Sequence, residues 1–145
     1  MILQFWNFMS HLDATDFINS PVYKKALDIF KVSRAIACSI SDSKNVWEMG
    51  MAANYNHQYA GDLVSDTLRL APGLAVVKNA STPTLRLKRA KNIRKAIQSI
   101  AFKCRKLEFS GVKEKEFLSL LKTEIHQFEH LFSEWLHHLQ FRKDH

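Results

Sequence analysis

The chain has 145 residues, 46% of them hydrophobic and 24% charged, with a formal net charge of +7. That length and balance describe one globular domain, able to bury about 68% of the surface its unfolded chain would expose, and exclude a disordered or fibrous chain. Four Gly and three Pro are too few for a many-stranded sheet, which needs a turn about every 8–12 residues.

The chain opens on an apolar stretch, Met1-Ile2-Leu3-Gln4-Phe5-Trp6-Asn7-Phe8-Met9. It lacks a basic leader region and is too short to span a bilayer, so residues 1–19 read as an N-terminal arm that packs on the body, with a partner-binding arm as the sharper alternative. Ser20-Pro21 is a good helix start, because Ser accepts an orphan N–H and Pro is tolerated at the first helical position. A stripe of Tyr23, Ala26, Leu27, Phe30, Ala37 and Ile40 follows at helical spacing, ending near Ser41-Asp42-Ser43.

Asn45 and Glu48 are spaced as a capping box. A second helix is expected from Val46 to about Lys78, with Trp47, Met51, Ala52, Tyr55, Tyr59, Leu63, Leu70, Leu74 and Val77 inward. Pro72-Gly73 must kink or break it near Arg69 to Ala71, since proline clashes with the carbonyl four residues back. Thr82-Pro83 then starts a third helix, running to about Leu107 with Ala90, Ile93, Ile97, Ile100, Ala101 and Cys104 on its apolar stripe. Ser110-Gly111 is the next turn. The fourth helix is expected from Val112 to about Gln140, with Phe117, Leu121, Ile125, Phe128, Phe132, Trp135 and Leu139 on one face, widened by Leu118, Leu131 and Leu136. Four amphipathic segments with short connections predict an all-α fold, an antiparallel up-down-up-down four-helix bundle over residues 20–140 with a tail at 141–145.

Charge is distributed unevenly along these helices. Between Lys78 and Lys115 lie twelve of the 21 Lys and Arg residues and two acids, Glu108 and Glu114, a local net of +10 against −3 for the remainder. The apolar stripe of the third helix covers about 80° of its circumference. Lys88, Lys91, Lys95, Arg105 and Lys106 fall on the opposite half, with Arg94 and Lys103 flanking them. Arg86 and Arg89 fall nearer the apolar side, where a long side chain snorkels outward.

A solvated surface helix usually mixes Glu with Lys at i,i+4. Here Lys91 and Lys95 repel at that spacing, and no acid appears from Asn79 to Leu107. Forgoing that stabilisation points to a polyanion partner. The candidate nucleic-acid-binding residues are Lys88, Lys91, Arg94, Lys95, Lys103, Arg105 and Lys106, with Arg86, Arg89, Arg94 and Arg105 able to clamp phosphate bidentately. No aromatic residues are read into that face, so backbone contact rather than base stacking is expected. A protein-interaction module whose basic face docks an acidic protein is the alternative.

No catalytic constellation accompanies this face. His126, His130, His137 and His138 crowd the last helix, but only one Glu-x-x-His, Glu134 to His137, is present, whereas a di-iron bundle needs two and further glutamates. No Arg has a His at the spacing of the Arg-x4-6-His motif of ribonucleases of the HEPN type. Cys38 and Cys104 lack metal or redox spacing and read as buried free thiols suited to a reducing cytoplasm. No enzyme activity, cofactor or metal is therefore expected.

The layout from Tyr23 to Leu139, above all Leu87-Lys88-Arg89-Ala90 through Lys106-Leu107, the short turn, and Leu118 to Leu136 with its Trp135, resembles the accessory variability determinant (Avd) proteins of diversity-generating retroelements. These are related to the 23S ribosomal RNA intervening-sequence proteins. The resemblance implies a homo-oligomer, pentameric in Avd, that binds a reverse transcriptase and RNA or DNA and assists mutagenic cDNA synthesis.

Overall fold

The computed structural model describes residues 16–42 and 54–141. The expected arm at Met1–Met9, the Asn45–Glu48 cap, inward Trp47, Met51 and Ala52, and the last four residues of the tail lie outside them. The described helices are α1 (Pro21–Asp42), α2 (Asn54–Leu68), α3 (Leu70–Lys78), α4 (Pro83–Phe109) and α5 (Lys115–Phe141), and no strand occurs among the described residues.

Local chemistry sets the boundaries. The Tyr23 N–H donates to Ser20 Oγ at 3.4 Å, and Lys24 N–H bonds the Ser20 carbonyl, which starts α1 where the Ser-Pro pair predicts. Thr82 is extended (φ −133°, ψ 155°) and its side chain accepts the Leu85 N–H at 3.1 Å, with Pro83 in the first turn of α4. Gly111 closes that helix at φ 75°, in the left-handed region that favours glycine, and its N–H bonds the Glu108 carbonyl at 3.1 Å.

Near Pro72 the second helical segment divides into two helices joined through Arg69 alone, whose backbone stays helical (φ −82°, ψ −12°). Arg69 N–H bonds Asp66 O at 3.3 Å, a tightened last turn of α2, and α3 restarts at Leu70. Pro72 then occupies the first turn of α3, where its missing N–H leaves no bond unmade. The carbonyl it would have struck belongs to Leu68, the last residue of α2.

α1 packs on α2, α3 and α5, and α4 packs on the same three, so α1 and α4 stand diagonally across an antiparallel four-helix bundle. Residues 16–18 are helical, and Phe17 packs against Tyr23 and Trp135, with ring centroids 4.9 and 6.2 Å apart. The core runs through Ile29, Ile36, Leu63, Leu74, Ile100, Leu121 and Phe128. Phe128 and Phe132 stack within it, with ring centroids 5.8 Å apart.

The inward faces differ from the expected stripes in three helices. In α1 the face is centred on Val22, Ala26, Ile29, Ser33, Ile36 and Ile40, while Tyr23, Leu27 and Phe30 are half-buried. In α2, Tyr55 is 74% exposed, and Ala60 and Thr67 turn inward beside Leu63. In α5, Phe117 is exposed and Leu118 is buried, so the face rotates by one residue at its start. α3 buries its expected Leu70, Leu74 and Val77, and α4 buries its expected stripe with Ala101 half-buried and Leu107 added.

Candidate nucleic-acid interface

α4 is 27 residues long, about 40 Å of rise. Its buried residues, Ala90, Ile93, Ile97, Ile100, Cys104 and Leu107, recur at three and four and fix which half faces solvent. Lys88, Lys91, Lys95 and Lys106 are exposed on the opposite half, and Arg94 and Arg105 are exposed on its α5-side shoulder. The Arg94 guanidinium carbon lies 5.4 Å from the centroid of the Phe132 ring, and Lys106 Nζ lies 5.2 Å from that of Phe102. These contacts orient the cations without neutralising them.

Carboxylates could have quenched this field from other helices. Among the described residues none pairs with Lys88, Lys91, Arg94, Lys95, Arg105 or Lys106. The two acids of the basic segment are engaged elsewhere. Glu108 accepts from Lys122 at 3.2 Å, and buried Glu114 accepts from Ser39 Oγ at 2.5 Å.

Lys103 departs from its expected role. Its side chain is only 17% exposed and is paired with the carboxylate of Asp66 on α2, with Ser99 Oγ as a further partner at 3.1 Å. Asp66 also accepts from Ser99 at 2.8 Å. Lys103 therefore serves the α2–α4 seam and is internally neutralised, unlike the six cations beside it.

Arg86 and Arg89 are also structural. Arg86 donates from Nε to Val77 O, from Nη1 to Leu139 O and Gln140 Oε1, and from Nη2 to Ala80 O, all at 3.2–3.3 Å. Arg89 Nη1 donates to Val76 O at 2.9 Å. The backbone acceptors Val76, Val77 and Leu139 lie in the last turns of α3 and α5, and Ala80 in the connection that follows α3, where positive charge is favoured. The phosphate clamp expected of these two arginines is thus turned inward.

The outward face also carries aromatic rings, contrary to expectation. Phe102 is exposed and Phe109 is 94% exposed, and the two line one open groove with Arg105 and Lys106. Placing phenylalanines on the same helical wheel as the cations finds them at 100° per residue.

The cysteines differ from each other. Cys38 is exposed, not buried as its stripe predicts, whereas Cys104 is buried with Sγ 3.7 Å from Leu118 O. Burial, and then the nearby Glu108 carboxylate, push the Cys104 thiol up from 9.0 to about 11. A thiol reagent at neutral pH should modify Cys38 in the native chain and Cys104 only after denaturation, because the thiolate is the nucleophile. Equal reactivity of both in the native chain would contradict this packing. The folded thiol titrates above its unfolded value, so its contribution to stability is complete below pH 9.0 and is lost as pH rises toward about 11.

Among the described residues no group of three or more His, Cys, Asp or Glu side chains is arranged to hold a metal. His130 pairs with Glu134 at 3.0 Å, and the His137 ring centroid lies 4.6 Å from that of Phe141, on the exposed side of α5. No described helix is long and apolar enough to cross a membrane. No family model, curated protein or solved structure matches the chain.

Proposed function

We propose that this chain is a non-enzymatic nucleic-acid-binding protein that holds the phosphate backbone along the outward face of α4. The observation that carries the reading is the set of six exposed cations, Lys88, Lys91, Arg94, Lys95, Arg105 and Lys106, with no carboxylate against them among the described residues. From Lys88 to Lys106 they follow one helix for about 27 Å. A rigid row of unneutralised charge on that scale fits a regularly charged rod better than a small ligand.

Titrating a labelled oligonucleotide with the chain tests this. The expected dissociation constant at physiological salt is about 10⁻⁴ to 10⁻⁶ M, independent of sequence, and polyglutamate competes poorly. Absence of binding at low salt overturns the reading. Displacement by polyglutamate at equal charge replaces it with an acidic protein partner. The resemblance to Avd adds a homo-oligomer and a reverse-transcriptase partner to the proposal. Sedimentation as a monomer, or failure to retain the polymerase in a pull-down, would strip it back to backbone binding.

A further inference from the structure

We infer that the Phe102–Phe109 end of α4 is a stacking platform for unpaired bases, so that the nucleic acid on the cationic face is single-stranded there. The inference rests on the backbone-binding reading and specifies its substrate. Phe102 and Phe109 are separated by seven residues, two turns and about 10.5 Å of rise, and so share one sector of the helix. They line one groove with Arg105 and Lys106, and Phe109 is 94% exposed. A phenylalanine left open to water forfeits the burial that would stabilise it, and two in one groove mark a surface that something covers.

The chemistry of the groove selects what covers it. In a duplex the bases stack on one another and turn only edges and phosphates outward, so an exposed ring meets no π-face. An unpaired base presents its face, and its phosphates lie within reach of cations set between the rings. Alternation of aromatic and cationic side chains is what sequence-tolerant single-strand binding requires. Lys106, over the Phe102 ring at 5.2 Å, already places a charge beside a platform. A second copy of the chain is a poorer occupant. A two-fold contact through this groove would set Arg105 and Lys106 against the same residues of the other copy, like charge on like charge.

The test compares the native chain with the Phe102→Ala, Phe109→Ala double variant. Both rings lie outside the core and Phe102 gives up one exposed cation–π contact, so the melting temperature should fall by no more than a few degrees. The probes are a labelled unpaired strand, as DNA and as RNA, an abasic strand of equal length, and a duplex. The native chain should bind the unpaired strand about tenfold or more tightly than the abasic one. The double variant should lose about 10- to 100-fold on the unpaired strand and change less than about twofold on the abasic strand and the duplex. The inference is overturned if the variant binds the unpaired strand as the native chain does, or weakens on all probes alike. It is also overturned if the variant instead dissociates an oligomer, which would make the rings a subunit contact. Backbone binding survives each of these outcomes. It fails together with the inference only if the native chain binds none of the strands.

Discussion

Reversing three charges, Lys91→Glu, Lys95→Glu and Lys106→Glu, should remove nucleic-acid binding at physiological salt while leaving the bundle folded. The face would pass from six cations to three cations and three anions, so its field would nearly cancel. Each phosphate no longer neutralised removes about 0.9 from the slope of log K against log salt on duplex DNA. The variant's slope should therefore shrink by about 3, and affinity should fall by about 100-fold or more even at low salt. The fold has little at stake in these residues. Lys91 and Lys95 are exposed and repel each other at i,i+4, and Lys106 contributes one exposed cation–π contact of about 0.5–1 kcal/mol. Anisotropy titration beside thermal melting reads both quantities. Unchanged affinity in a folded variant would remove the account.

Arg86 stands on the same helix, and the opposite result is expected of it. Arg86→Ala should destabilise the chain by about 3 kcal/mol, because its guanidinium joins carbonyls at Val77, Ala80 and Leu139 that would lose a charged donor. Those carbonyls sit where α3 ends, in the α3–α4 connection and where α5 ends, so the loss loosens one pole of the bundle. Arg86→Lys should recover only part of this, since an ammonium cannot reproduce the planar fork. The salt slope of the remaining folded protein should not change, because Arg86 presents no charge to the outward face. Chemical denaturation gives the stability, and a loss under about 0.5 kcal/mol would show that water replaces the guanidinium.

The difference between these arginines and lysines marks where sequence reading stops. Local signals carried through: Ser20-Pro21, Thr82-Pro83 and Ser110-Gly111 act within three or four residues of chain, and each ends or begins a helix as its chemistry requires. The α4 stripe was legible because Ala90, Ile93, Ile97, Ile100 and Cys104 recur at three and four along one sector and most of the opposite half is charged. α1 and α5 carry large apolar residues over a wider arc, and there periodicity alone did not locate the centre. In α1 that centre includes Ser33, a polar residue that a hydrophobic pattern passes over. The neutralisation of Lys103 by Asp66 spans 37 residues, and the Arg86 clamp reaches 53 residues to Leu139. Both are tertiary facts without a local signature. Phe102 and Phe109 are a different case. Their position among the cations follows from helical geometry, and only a wheel drawn for charge alone leaves them out.

The dependence of binding on salt tests the central claim most directly. For the native chain on duplex DNA, six unneutralised cations predict a slope of log K against log salt of about −5, a loss of about 10³-fold between about 50 and 200 mM. A slope near zero, or binding that persists at about 1 M salt, would mean that the outward face of α4 does not hold phosphates.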